Sequence, residues 1–210
     1  MTNNYFSEKL RKLYSLAENF YYVNLRHNFK FHSWFHTQYV FNRAQYFANQ
    51  YKLTDYNSFC LSAAAILHDI GIVISYDSHE YISAEVSRIL LQKLEIKNEV
   101  INSICDIILS TGELKPKDNL LKKILFDCDY DYLSKPDYII LTFWLRDEWN
   151  QQYHYKFTTE ESWLLYQLNF LREFEYLTIA DSSLQIRGLA HNLAYVSNLV
   201  DKIFIDGNIK

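Results

Sequence analysis

Apolar side chains recur at helical spacing along most of the chain. Phe6, Leu10, Leu13, Leu16, Ala17 and Phe20 share one face, which predicts an amphipathic helix over residues 5–22. A second helix is predicted over 33–51, with Phe35, Tyr39 and Phe47 packing inward. Asp55-Tyr56-Asn57-Ser58 offers N-capping side chains for a third over 59–69, and Gly71 reads as its stop. The Ala63-Ala64-Ala65 stretch of that helix permits close packing. Ser78 is placed to cap a fourth helix through 94, and the fifth and sixth are expected over 98–110 and 120–133. Pro136 stands at the start of a seventh that includes Trp144 and Trp149. Thr158, three residues before Glu161, makes a capping box for an eighth running to 176, and a last helix covers 183–203. The polar stretch 112–119 reads as a loop within one domain spanning 1–210, so the expected fold is an all-α helical bundle.

Composition narrows this further. The 210 residues include only four Gly and two Pro, too few turn formers for a β-sandwich or barrel. With 49% hydrophobic and 17% aromatic residues, disorder is excluded as well. A net charge of −4 and no Lys/Arg cluster argue against nucleic acid as the main partner. Cys60, Cys105 and Cys128 are odd in number and lack Cys-x-x-Cys spacing, so buried reduced thiols are expected. The N-terminal residues lack an apolar signal region, and the uncharged apolar runs at 59–67 and 138–145 fall short of the ~18–20 residues of a membrane span. A cytoplasmic protein without a membrane partner is the expectation. The aromatic-rich C-terminal helices offer a surface for homo-oligomer formation.

Three places carry more polarity than a structural helix needs. His32 and His36 are four apart among bulky aromatics, so on a helix they share a face. His68-Asp69 ends a nearly apolar helix, and burying both without partners costs several kcal/mol, so they need an ion or each other. Asp127, Asp129 and Asp131 alternate within an apolar stretch; Asp127 and Asp131 fall on one helical face, where a nearby cation would relieve their repulsion. Imidazoles and carboxylates together suit a divalent ion such as Mn, Mg, Zn or Fe with room left for water.

The order His36, then His68-Asp69, then a distant Asp129 resembles the H…HD…D signature of the HD-domain metal-dependent phosphohydrolases. Ala64-Ala65-Ile66-Leu67-His68-Asp69-Ile70-Gly71 is very similar to that family's most recognisable stretch. Phe31-His32-Ser33…His36-Thr37 resembles the Tyr-His-Asn-x-x-His-Thr motif of a bacterial subgroup, with Ser33 in place of Asn. His79-Glu80, Ser83-Ala84-Glu85, Ser110-Thr111, Asp127-Cys128-Asp129 and Leu145-Arg146-Asp147-Glu148 also look like subgroup positions.

The resemblance implies an HD core over about 28–135 and a helical extension over about 136–210. It makes His36, His68, Asp69 and Asp129 the ligands of one divalent ion (Mn, Mg, Co, Ni, Zn or Fe), with Asp127 as the rival for the last place. His32 would orient a ligand or touch substrate. The implied activity is hydrolysis of a phosphate ester or anhydride of a small phosphorylated molecule, a nucleotide in particular. Asp69 and Glu80 are then the acid/base candidates, and Lys30 and Arg146 the phosphate holders. The bland alternative for Glu80 is a carboxylate favouring a helix N-terminus. The competing function is a nucleotide-binding sensor that does not hydrolyse its ligand.

Overall fold

Residues 59–67 are all buried, and a helix apolar on every side has to lie at the centre of its unit. The computed structural model describes residues 2–25, 29–113, 115–116, 119–153, 156–178 and 182–207. Among them are nine α-helices and no strand: α1 (Thr2–Asn24), α2 (Trp34–Gln50), α3 (Asp55–Leu67), α4 (His79–Lys93), α5 (Asn98–Leu109), α6 (Leu120–Asp129), α7 (Tyr138–Gln152), α8 (Glu160–Glu173) and α9 (Ser182–Gly207). Short 3-10 turns cover Ile70–Val73, Ser110–Gly112 and Tyr130–Ser134. The protein is all-α. Residue 28 and, in the 112–119 connection, residues 114, 117 and 118 lie outside the described residues.

The backbone falls into two compact units, Met1–Asp129 and Tyr130–Lys210. In the first, α1, α2, α5 and α6 pack around α3, and α4 pairs with α5 while lying against the Ile70–Val73 turn. Tyr21, Phe47, Ile66 and Ile101 are among its fully buried side chains, each contributing roughly 1.5–3 kcal/mol of burial. The segment Asp55–Val73 is apolar enough by length and composition to cross a membrane, yet 78% of its most apolar window is buried inside the fold, as in a core helix. All three cysteines are buried, and none forms a disulfide among the described residues.

Several local expectations are corrected. Thr54, not the Asp55–Ser58 group, caps α3, its Oγ1 accepting from Asn57 N at 3.2 Å. Gly71 does not end α3 by adopting a left-handed conformation; α3 stops at Leu67 and Gly71 lies within the following 3-10 turn. Ser78 precedes α4 but in the left-handed region (φ 55°), where its side chain makes no capping bond. Thr159 rather than Thr158 caps α8, accepting from Ser162 N at 3.1 Å. Phe35 faces solvent, because the inward face of α2 is set by Trp34, Thr37, Val40 and Ala44.

The second unit holds α7, α8 and α9. Tyr138 and Trp163 are fully buried, and the Tyr138 hydroxyl donates to Gln167 Oε1 at 2.7 Å. α9 lies directly on the Tyr130–Ser134 turn: a Cβ on Gly188 would run into the Ser134 carbonyl oxygen. Asn192 Nδ2 donates to the Leu133 and Lys135 carbonyls at 2.8 and 2.9 Å.

Candidate metal centre

Three helix ends meet in the first unit. α2 carries His36 in its first turn, α3 runs into His68 as its C-cap with Asp69 next, and α6 ends on Asp129. The C-terminal ends of α3 and α6 bring partial negative charge to this point, which favours a cation there. Ligand atoms of His36, His68 and Asp69 all lie within 4.8 Å of one another. Asp129 completes the cluster.

The spacing is that of a coordination shell. His36 Nε2 lies 3.0 Å from Asp129 Oδ1 and 3.5 Å from Asp69 Oδ2. His68 Nε2 lies 3.1 Å from Asp69 Oδ2 and 3.6 Å from Asp129 Oδ1. Donor atoms held about 2.1 Å from one ion stand about 3.0–3.4 Å apart, so these four side chains are already near ligand separation. The tautomer fits too. His68 Nδ1 lies 3.0 Å from the Ala65 carbonyl, which can only accept, so Nδ1 carries the proton. Its Nε2 is buried without an aligned hydrogen-bond partner, turned toward two carboxylates. An imidazole fixed through Nδ1 with Nε2 facing acidic oxygens is the arrangement an ion ligand requires.

Electrostatics express the same crowding. Burial opposes charge on His68, but Asp69 and then Asp129 override it and hold the imidazolium well above its ordinary range. Burial likewise works against the Asp69 carboxylate, and the neighbouring His68 charge holds it well below the usual range. Asp129 is lowered too, against burial, by the hydrogen bond with His36 and by the nearby His68 imidazole. Without an ion, protons take the place of positive charge.

The sequence pattern of the HD domain family matches residues 34–132. That stretch, just under half of the chain, is similar to an HD domain. The match opens on the first residue of α2 and closes in the turn after Asp129, so it encloses His36, His68, Asp69, His79, Glu80 and Asp129. No curated protein and no solved structure is significantly similar to the chain.

Around the HD cluster the remaining predicted residues take varied places. His32 is not on α2; it sits in the bend before Ser33, so helical spacing does not bring it near His36. The bend does, with ring centroids 6.1 Å apart. Glu80 Oε1 lies 3.6 Å from His79 Nε2, and Lys30 is exposed beside Phe31. Asp129 is the carboxylate of its stretch that contacts both imidazoles, and Asp127 is completely buried. Asp131 belongs to the second unit, where Lys135 lies 2.9 Å away and Gln185 Nε2 donates to it; its cation is a lysine. Arg146 also lies in the second unit, donating to the Phe157 and Thr158 carbonyls at 2.9 and 3.1 Å.

Two neighbours had not been singled out as site residues from the sequence. His79 Nε2 lies 3.5 Å from Asp69 Oδ1, the oxygen turned away from His68. The Tyr76 carbonyl fixes its Nδ1 at 2.8 Å, the same device that orients His68. Burial lowers the His79 pKa, but Asp69 and then Glu80 raise it to about 9. Phe31 stacks on the His36 ring at 5.1 Å and 29°, covering one face of that imidazole. The pairing of His79 with Glu80 at the start of a helix was the available signal; for Phe31 only its aromatic character was.

Proposed function

We propose that the protein is a metal-dependent phosphohydrolase acting on a small phosphorylated molecule, with a nucleotide as the substrate class. HD domains bind divalent metals and are in general hydrolases, some members being non-enzymatic. The observation that carries the reading is the buried meeting of His36, His68, Asp69 and Asp129, with His68 Nε2 lacking an aligned partner at its centre. These four residues would hold one divalent ion, which when bound supplies a water of lowered pKa and polarises a phosphoryl oxygen.

The chain's own groups do the rest. The Ala65 carbonyl keeps His68 Nε2 facing the cluster, and Phe31 stacks on the His36 ring. Asp69 Oδ1 faces His79, which in turn neighbours Glu80, so a proton taken at Asp69 has a short route outward. The Glu80 side chain is 26% exposed and serves as the terminal acid/base group. Lys30 is the cation offered to substrate phosphate, and His32 is a second group placed to contact it.

The test is phosphate and nucleoside release from a panel of nucleotides with Mn, Mg, Co, Ni, Zn, Fe(II) or EDTA, alongside an Asp69→Ala variant. Metal-dependent release that vanishes in EDTA and in the variant is expected. Saturable nucleotide binding with no release under any metal would overturn hydrolysis in favour of a sensor.

A further inference from the structure

The turn after Asp69 and the first turn of α4 are joined more closely than ordinary packing. The Gly71 N–H donates to Ser83 Oγ at 2.8 Å, and Ser83 is fully buried. A Cβ on Gly71 would stand 2.5 Å from both the His79 carbonyl oxygen and Ser83 N, and 2.9 Å from Ile82 Cβ. Two of those three atoms are backbone, so any side chain at 71 has to push α4 away. Since Gly71 does not use positive φ, room rather than backbone freedom is what the position demands. Asp69 stands on one side of this junction, His79 and Glu80 on the other, with His79 Nε2 3.5 Å from Asp69 Oδ1. His36, His68 and Asp129 come from α2, α3 and α6 instead.

We propose that Gly71 and Ser83 are positioning residues: they fix how deeply α4 presents His79 and Glu80 to Asp69, and so govern turnover more than ion uptake. This rests on the phosphohydrolase reading. The Glu80 carboxyl group lies beside Gly112, where a Cβ would be only in ordinary contact with it at 3.4 Å. Loosening the Gly71–Ser83 contact therefore moves the His79–Glu80 pair while the other side chains of the cluster stay on their own helices.

The experiment compares Ser83→Ala and Gly71→Ala with Ser87→Ala. Ser87 is equally buried one turn further along α4, but its hydroxyl has no hydrogen-bond partner. Bound cobalt, kcat and KM for nucleotide hydrolysis, and imidazole nitrogen NMR signals of the metal-free protein are measured for each. A misplacement of about 1 Å can cost up to about 100-fold, so Ser83→Ala is expected to lose about tenfold in kcat with KM and cobalt content unchanged. Gly71→Ala loses more, and if it does not fold Ser83→Ala decides alone. The His79 signals move in Ser83→Ala, those of His36 do not, and Ser87→Ala matches wild type throughout. Wild-type kcat and an unmoved His79 signal in Ser83→Ala, or equal losses in Ser83→Ala and Ser87→Ala, overturn the proposal. If the wild type hydrolyses nothing, the phosphohydrolase reading has failed, and the NMR comparison by itself decides whether Ser83 positions His79.

Discussion

Raising the pH of the metal-free protein should weaken the unit that contains the cluster. His79 sits in a buried position that opposes its charge, yet Asp69 and Glu80 carry its pKa from 6.5 to about 9. A histidine raised in this way stabilises the fold fully below the unfolded value. That contribution declines as pH climbs toward the folded one. A rise of about 2.5 units at about 1.36 kcal/mol each is worth roughly 3 kcal/mol. The side chain is 18% exposed, so solvent screens little of it. For a chain of this size 1 kcal/mol moves Tm by about 2–4 °C, which gives a fall of roughly 6–12 °C across the window. His68, also raised, acts in the same sense. Asp69 and Asp129 are lowered, and their contributions are lost only on acidification, outside this range. Scanning calorimetry in EDTA from pH 6.5 to 9.5 measures the slope, and His79→Gln should remove much of it. A Tm that stays flat or rises over that interval refutes the electrostatic account. A saturating divalent ion should reverse the trend, because ion and protons compete for the same nitrogens and oxygens.

Asp69→Ala removes a carboxylate that faces three imidazoles; metal-dependent phosphate release should fall more than about 100-fold and ion binding should weaken, both checked with the same protein preparation. Asp131→Ala leaves Lys135 and Gln185 without their buried partner and should destabilise the second unit by about 3–5 kcal/mol, read by urea unfolding. Its cobalt content should equal wild type, and a loss of cobalt would contradict the assignment of Asp131 to the Lys135 ion pair alone. Gly188→Ala puts a methyl group against the Ser134 carbonyl, so α9 should shift at a cost of about 1–3 kcal/mol or more; unchanged stability would contradict that contact. Saturation with an ion at about 100 times its dissociation constant should add about 2.7 kcal/mol to unfolding, reversed by EDTA.

The period of apolar residues was enough to predict an all-α fold, because a helix face is written in neighbours three and four apart. The apolar run ending in His68-Asp69 likewise announced buried charge in need of a partner. Where the local pattern was ambiguous, tertiary structure decided. Asp127, Asp129 and Asp131 are equivalent by alternation, and they separate because α6 ends at Asp129 and a 3-10 turn carries Asp131 to Lys135. His32 reaches the cluster through a bend that helical spacing does not describe, and His79 through the fold of α4 back onto the turn after Asp69. Gly71 looked like a helix stop, and only the approach of α4 shows that it makes room. Composition and period act along the chain, whereas a coordination shell depends on where separate helix ends arrive in space.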